Sequence, residues 1–303
     1  MKNVPIRHHY IPQFILRNFC IDKLGNTFFV DAKSKKQSKK QVRELFMERN
    51  LYRDLINDEN PTKIEEDFAR YEDEVARIIN ERFVDKDEFI LTQNENEKLK
   101  LFFALMSFRA KTTQELFKKG LSTDSKKIYS SWQKNYDFED FWKRNLGKLV
   151  KCRSLEQVIN STEIDEPIKV FFIRDTHGFF GKYFCVAEPK DIGEFVLSDC
   201  YPVVLRGSCK TLYVGSCEVG VYDIFVISPQ RVILFANAGC DSISRDLLGL
   251  RPLVVGKPVN KNNELIFRVK KLYLEEIETL NDLIIKHAKV GYIFRGEKRI
   301  FIK

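Results

Sequence analysis

Residues 8–19 of the chain read His-His-Tyr-Ile-Pro-Gln-Phe-Ile-Leu-Arg-Asn-Phe and place two of the four histidines side by side, just ahead of a proline. Proline suits the first turn of a helix, because that position needs no N–H group. The stretch predicts a short helix after Pro12, with His8 and His9 at its N-terminal mouth, near its exposed N–H groups. An imidazole there can act as a general base or a metal ligand, and Arg17, on another face, can hold an anion.

The composition limits the classes of protein to which the chain can belong. The 303 residues suffice for one large domain or two ordinary ones, and a hydrophobic content of 44% is ample for a core. The formal charge of +8 favours polyanionic partners, although a merely solvated basic surface gives the same number. Seven cysteines without a Cys-x-x-Cys pair argue against a zinc ribbon or a disulfide framework. With no apolar signal or spanning run, we expect a cytoplasmic protein and no membrane partner.

The hydrophobic period changes once along the chain. From 61 to 165 the apolar residues recur at helical spacing, and from 166 onward they alternate, with a hairpin signal at 175–178. We expect an α+β fold with an N-terminal motif and basic loop at 1–60, a central helical part at 61–165, and a mostly antiparallel sheet with a C-terminal helix at 166–303. We expect the motif to pack between the other two parts and the whole chain to form one compact unit.

Two helices in the middle of the chain carry candidate charges. Thr62 and Glu65 form a capping-box pattern that predicts a helix start. On that helix Glu65 and Glu72 share a face with alanines such as Ala69, which would leave room for a ligand. The alternative is that Glu65 only caps the helix and Glu72 is solvated. The segment 93–109 contains a second, nearly all-round apolar helix, which predicts a central position in the core.

Arg109 ends that second helix on the side that tends toward the core. A buried arginine requires an anionic partner, because an unpaired charge in an apolar interior is very unfavourable. The partner is either an acidic side chain, with Glu72 and Asp199 as the candidates, or the phosphate of a ligand. A further cationic segment is the lysine run at 33–40, which is either a solvated loop or an arm that contacts phosphates.

The opening pattern His-His-Tyr-x-Pro-x-x-x-Leu-Arg-x-Phe resembles the start of the bacterial "domain of unknown function 4238" family. The family's second hallmark, a Ser-Asp-x-Pro turn, is matched by Ser198-Asp199-Cys200-Tyr201-Pro202, where the proline comes one residue later than in the usual Ser-Asp-Asn-Pro. Further matching pieces are Tyr52 after Glu48–Leu51, Glu65 and Glu72, Arg109, and Ser228-Pro229. The resemblance implies no established reaction, and it implies a link to anti-phage defence, because some members are found among bacterial defence genes.

One hypothesis is an anti-phage effector that cleaves nucleic acid or a nucleotide. Its enzyme class would be a metal-dependent nuclease or another phosphodiester hydrolase. Its candidate site residues are His8, His9, Asp199, Glu72, Arg17, Arg109 and Tyr52. The histidines would serve as base or metal ligand, the carboxylates would complete the catalytic set, and the arginines with the tyrosine would hold the phosphate. Two histidines and two carboxylates would suit a divalent ion such as Mn²⁺ or Zn²⁺.

The other hypothesis is a non-enzymatic sensor or binding module. In it the same charged groups form a buried ion network, and the basic surface binds nucleic acid or a phage component. The chain contains no Walker A loop, no Gly-x-Gly-x-x-Gly after a strand, no His-Glu-x-x-His and no Gly-x-Ser-x-Gly, which removes several common enzymes. Convergence of the candidates around an open pocket would favour the effector, and burial without a pocket would favour the binding module.

Overall fold

The computed structural model describes residues 7–52, 60–83, 87–110, 138–166, 168–169, 183–211, 215–236, 259–261 and 264–296. The chain divides into two compact units, each assembled from separated segments. The first unit comprises Met1–Pro12, Phe46–Arg82 and Gln93–Thr176, and the second comprises Gln13–Leu45, Phe83–Thr92 and His177–Lys303. The opening motif is therefore shared, since its histidines belong to the first unit and its helix to the second.

Helices and strands alternate in clusters along the described residues. The helices are α1 Gln13–Arg17, α2 Lys63–Arg82, α3 Gln93–Arg109, α4 Phe138–Leu149, α5 Leu155–Asn160 and α6 Leu274–His287. The strands are β1 Arg7–His9, β2 Asn26–Asp31, β3 Gln37–Gln41, β4 Met47–Arg49, β5 Glu88–Thr92, β6 Tyr183–Pro189, β7 Leu197–Ser198, β8 Val203–Thr211, β9 Gly215–Ser228, β10 Arg231–Ala236, β11 Val259–Lys261, β12 Glu264–Arg268, β13 Lys270–Leu272 and β14 Gly291–Phe294.

The first unit is mainly helical. Its short strands β1 and β4 pair antiparallel, and α2 packs against α3. Helix α3 is buried along most of its length, which confirms the central position that its apolar sequence predicted. Between the two helices, the ring of Tyr71 meets Phe102 edge to face at a centroid distance of 5.4 Å, and its hydroxyl donates to the carbonyl of Lys98. These contacts fix α2 beside α3 and so place the charged residues at the end of α3.

The second unit is mainly β-structure. In the described residues its largest sheet has the strand order β13-β6-β10-β9-β8, in which only the β13–β6 pair is parallel. A second sheet has the order β3-β2-β14-β7, and a third has the order β11-β12-β5, both antiparallel. Helix α6 buries one face, including Ile277 and Leu280, in this unit. Helices together with mostly antiparallel sheets confirm the α+β class.

Two local predictions at the motifs are wrong. His8 and His9 lie in strand β1 and not at the mouth of a helix, because the chain pairs with β4 before α1 begins at Gln13. Glu65 does not complete a capping box: the hydroxyl of Thr62 contacts the carboxylate of Glu66 at 3.1 Å, and Glu65 points to another partner. The hairpin signal at 175–178 lies outside the described residues.

Within the described ranges, no helix has the length and apolarity that crossing a bilayer would require. The cysteines Cys20, Cys152, Cys185 and Cys200 are free thiols. Burial and the nearby charge of Asp199 raise the pKa of Cys200 to about 11, so this thiol is protonated and unreactive at neutral pH.

Candidate functional site

A reversal of the chain after β4 brings Tyr52 back to His8. The two strands are in a register that pairs His8 with Glu48, and Asn50 then adopts a left-handed conformation with φ of 58°. Asparagine tolerates this conformation better than most residues with a side chain. The turn carries the backbone N–H of Tyr52 to Nδ1 of His8, to which it donates at 3.1 Å.

His8 is enclosed by two partners. Its side chain is 1% exposed, Nδ1 accepts the N–H of Tyr52, and Nε2 lies 3.1 Å from Oε2 of Glu65. Because Nδ1 accepts a proton donor, the ring proton of the neutral imidazole is assigned to Nε2, where it faces the carboxylate. The Nε2–Oε2 contact is close but is not aligned as a hydrogen bond. With the proton on Nε2 and the N–H of Tyr52 on Nδ1, neither ring nitrogen has a free lone pair in this tautomer.

One face of α2 supplies the acidic and aromatic groups around this histidine. Glu65, Phe68 and Glu72 are spaced three and four residues apart, so their side chains lie along one stripe of the helix. Phe68 is buried between the two carboxylates, and its ring lies 5.2 Å from the ring of Tyr52. Ala69, which the sequence suggested as the source of room for a ligand, is exposed.

Arg109 completes the group from the end of α3. Its side chain is 1% exposed, and Nη1 donates to Oε1 of Glu72 at 3.0 Å. The guanidinium carbon lies 4.7 Å from the ring centre of Phe68 and 5.9 Å from that of Tyr52, which is within the range of a cation–π contact. Its Nε and Nη2 atoms are also buried, and neither has a hydrogen-bond partner in the described part of the chain. We call His8, Tyr52, Glu65, Phe68, Glu72 and Arg109 the motif cluster.

Burial dominates the electrostatics of the motif cluster. It raises the pKa of Glu72 above its ordinary value, with smaller contributions from Asp73 and Glu65, although the charge and hydrogen bond of Arg109 act in the opposite direction. Burial likewise raises the pKa of Tyr52, so its phenol stays protonated. The phenol hydroxyl lies 3.4 Å from the carbonyl oxygen of His9 and donates to it.

Asp199 belongs to the second unit, where its carboxylate binds backbone. Oδ1 accepts from the N–H groups of Lys289, Val290 and Gly291 at 2.9, 3.0 and 3.1 Å. Three such donors at one oxygen close the turn between α6 and β14. The Ser-Asp motif thus has a structural task within its own unit, at a turn about ninety residues further along the chain.

The predicted site residues separate into two groups. In the first unit, His8 contacts Tyr52, Tyr52 contacts Arg109, and Arg109 contacts Glu72. His9 lies in the same unit and is half-buried in β1. Arg17 is an exposed residue at the end of α1 in the second unit. The sequence analysis placed Glu65 on the face of Glu72 but left it out of the candidate site, and it gave Phe68 no role at the site. Their spacing relative to Glu72, on one helical stripe, was the available signal.

Metal ligands do not cluster in the described residues, where no group of three or more His, Cys, Asp or Glu side chains is placed to hold an ion. The motif cluster itself offers two carboxylates and one histidine whose nitrogens are engaged. Its chemistry is that of a buried cation held by a carboxylate and two aromatic rings.

Comparison with known proteins identifies the family from the whole chain. A family model described as "Protein of unknown function (DUF4238)" matches residues 7–299. The chain belongs to this family. The match runs from strand β1 to just beyond β14, so both the motif cluster and the Asp199 turn lie within the matched residues. No curated protein and no solved structure matches the chain.

Proposed function

We propose that this protein is a recognition module of bacterial anti-phage defence that works in the cytoplasm and binds nucleic acid without cutting it. Two considerations support the proposal. One is the presence of family members among defence genes, which is an argument by association. The other, which carries the binding function, is the exposed basic edge strand β3.

Strand β3 forms one edge of its sheet and continues a lysine-rich turn. The lysines of this segment are all exposed: Lys33, Lys35, Lys36, Lys39 and Lys40. The ammonium groups of Lys39 and Lys40 lie 5.6 Å and 4.3 Å from the ring centres of Phe28 and Phe29, and no described carboxylate forms a salt bridge with any of the five. The carboxylates of Asp22 and Asp31 lie near enough to interact with the charges of Lys39 and Lys40, but five exposed lysines outnumber these two acids. This excess of positive charge favours a polyanion such as a nucleic-acid backbone.

Binding is favoured over cleavage because two of the residues proposed for catalysis, His8 and Asp199, face other groups. Both ring nitrogens of His8 face partners, and Oδ1 of Asp199 accepts three backbone N–H groups. A general base needs a free lone pair within hydrogen-bond reach of the proton that it removes. In the motif cluster the imidazole of His8 has none.

The experiment measures binding of fluorescent single-stranded DNA, duplex DNA and RNA by anisotropy at several salt concentrations. We compare the wild type with the triple variant Lys36→Gln, Lys39→Gln, Lys40→Gln. The matched control is Lys23→Gln, Lys151→Gln, Lys286→Gln, which removes the same charge from exposed positions elsewhere. The measured quantity is the slope of log K against the logarithm of the salt concentration, where K is the association constant. We expect the β3 variant to reduce the magnitude of this slope by up to about 2–3, because each lost phosphate contact removes about 0.7–0.9.

Two results would overturn this assignment. If the β3 and control variants lose affinity equally, the interaction is a general charge effect. If the wild type cleaves the labelled nucleic acid during the binding experiment, with or without Mn²⁺ or Zn²⁺, the protein is an effector. The defence role is tested separately by phage plaque counts on cells that express the wild type or the β3 variant at equal soluble levels.

Cleavage of nucleic acid or of a nucleotide is the second candidate function. The observation that favours it is the raised pKa of Glu72, because carboxyl groups with raised pKa values can serve as general acids. Glu72→Gln would then abolish product formation while leaving nucleic-acid binding through β3 intact. Equal product formation by Glu72→Gln and the wild type would remove this candidate.

A further inference from the structure

Arg109 is a buried cation with unused hydrogen-bond donors. The side chain is 1% exposed, yet in the described part of the chain only its Nη1 atom donates a hydrogen bond, to the carboxylate of Glu72. The Nε and Nη2 atoms are buried and unpartnered in the described residues. Buried donors without an acceptor are rare in folded proteins, because they have lost their hydrogen bonds to water and gained none in return.

Arg153, in the same unit, shows what completes such a group. It also lies over an aromatic ring, with its guanidinium carbon 3.9 Å from the ring centre of Tyr71. Its Nε donates to Glu74 at 3.2 and 3.3 Å, and its Nη2 donates to Glu74 at 3.2 Å. Its Nη1 donates to the backbone carbonyls of Val150 and Cys152. All three nitrogens of Arg153 are therefore satisfied, although its side chain is 26% exposed.

The contrast between the two arginines lies in one edge of the guanidinium. In Arg153 the Nε and Nη2 atoms both donate to one carboxylate, that of Glu74. In Arg109 the carboxylate of Glu72 binds Nη1, and the Nε–Nη2 edge has no hydrogen-bond partner among the described residues. Two parallel N–H groups on this edge match the spacing of two oxygens on a carboxylate or a phosphate. Arg109 is thus the more deeply buried of the two arginines but has the fewer hydrogen bonds. Loss of water on burial would favour the opposite, because a buried donor needs a protein acceptor.

We propose that the Nε–Nη2 edge of Arg109 binds an oxyanion of a small ligand, a phosphate or a carboxylate, in the first unit. Neighbouring groups hold this edge in place. Phe68 and Tyr52 face the guanidinium, Glu72 anchors Nη1, and His8 fixes Tyr52 through its backbone N–H. The site is distinct from strand β3, which belongs to the second unit, and the proposal does not depend on nucleic-acid binding there.

Glu72 sets the affinity of the proposed site. Its carboxylate already neutralises Arg109, so a bound oxyanion adds a second negative charge beside a buried pair. Replacing Glu72 by Gln keeps the shape of the side chain and removes its charge. We therefore expect Glu72→Gln to bind the oxyanion about tenfold more tightly than the wild type.

The experiment measures the apparent Tm and the Kd of inorganic phosphate and of acetate, with chloride at the same ionic strength as the reference. In Arg109→Lys the charge remains but the two-donor edge is lost, and Arg153→Lys is the matched control. We expect at least one of the two anions to raise the wild-type Tm in a saturable manner, Arg109→Lys to lose this response, and Arg153→Lys to keep it. A response to phosphate alone identifies a phosphate ligand, and a response to acetate alone identifies a carboxylate ligand.

Three outcomes would overturn the proposal. One is a wild-type Tm that is equal in phosphate, acetate and chloride. Another is an anion response that survives in Arg109→Lys or disappears in the β3 triple variant, because the anion would then bind elsewhere. The third outcome applies if Arg109→Lys does not fold. Anion binding by Glu72→Gln that is unchanged or weaker than that of the wild type would then show that the anion does not bind at Arg109.

Discussion

Asp199 and Gly291 are joined by two hydrogen bonds. The backbone N–H of Asp199 donates to the carbonyl of Gly291 at 3.1 Å, and the N–H of Gly291 donates to Oδ1 of Asp199 at 3.1 Å. The same oxygen accepts from Lys289 and Val290, so the carboxylate closes the turn that leads into β14. This relationship gives the second sequence motif a structural task that can be tested apart from any reaction.

Asp199→Asn and Asp199→Ala should differ in stability. Asparagine keeps an oxygen at the position of Oδ1, so we expect it to lose less than about 1 kcal/mol, whereas alanine leaves three N–H groups without their acceptor and should lose about 1–3 kcal/mol. Urea unfolding monitored by circular dichroism measures both. Equal losses in the two variants would show that the negative charge, and not the acceptor geometry, is what the turn requires.

Gly291 should not tolerate a side chain. A Cβ atom there would lie 2.4 Å from the backbone oxygen of Val30 and 2.5 Å from the ring of Phe29, both in the adjacent strand β2. Because a backbone oxygen in a sheet cannot move away easily, we expect Gly291→Ala to destabilise the second unit by about 1–3 kcal/mol. The control is Gly25→Ala, where a Cβ meets only one atom at 4.0 Å and the penalty comes from the positive φ of 79°. An unfolding midpoint like that of the wild type would contradict the strand register.

His8 should act as a structural acceptor. His8→Ala removes the acceptor for the buried N–H of Tyr52 and leaves a cavity, so we expect a loss of about 2–4 kcal/mol in the free energy of unfolding. His8→Asn places an oxygen near the position of Nδ1 and should recover part of this loss. His287→Ala, on the half-exposed side of α6, is the control and should change stability little. Recovery is measured by urea unfolding, and its absence would argue against the Tyr52 contact.

Glu72 and Glu74 should give opposite pH dependences of stability. Burial raises the pKa of Glu72 above 4.5. The advantage of the wild type over Glu72→Gln is therefore largest below this value and is lost as the pH rises through the folded pKa of Glu72. For Glu74, burial acts upward, but the hydrogen bonds and charges of Arg153 and Lys98 lower the pKa below 4.5. Its advantage over Glu74→Gln is present above 4.5 and is lost as the pH falls through its folded pKa.

Unfolding free energies of the wild type and the two glutamine variants, measured from about pH 3 to pH 7, test this pair. The residues are two positions apart on α2, so differences in helix propensity or in location along the chain are small. If the two variants shift stability with pH in the same direction, the assignment of Glu72 to a buried environment and Glu74 to a paired one is incorrect.

Patterns within single segments predicted much of the fold. The apolar sequence of α3 predicted its burial, the alternating segments predicted the antiparallel strands from β8 to β10, and the terminal amphipathic pattern predicted α6. The position of Arg109 at the inner end of α3 predicted a buried cation that needs an anion. These features follow from hydrophobic periodicity, which depends on residues within one or two turns of each other.

The composition of the motif cluster was only partly predictable. The sequence identified His8, Tyr52, Glu72 and Arg109 as candidates. It left open whether Glu65 only caps its helix and whether Glu72 or Asp199 would pair with Arg109. The structure pairs Glu72 with Arg109 across 37 residues of chain and His8 with Tyr52 across 44. Which of several carboxylates meets a given cation depends on the packing of α2 against α3, and no local pattern encodes that packing.

The sequence by itself determined the class of fold, the family, and the need of Arg109 for an anionic partner, because composition, motif and periodicity are properties of the chain before it folds. Only the tertiary structure decided that His8 lies in a strand with both nitrogens facing partners, that Asp199 closes a turn in the second unit, and that one edge of Arg109 is unpartnered among the described residues. Hydrogen bonds have strict geometry and short range, so their partners are fixed only when distant segments have packed together.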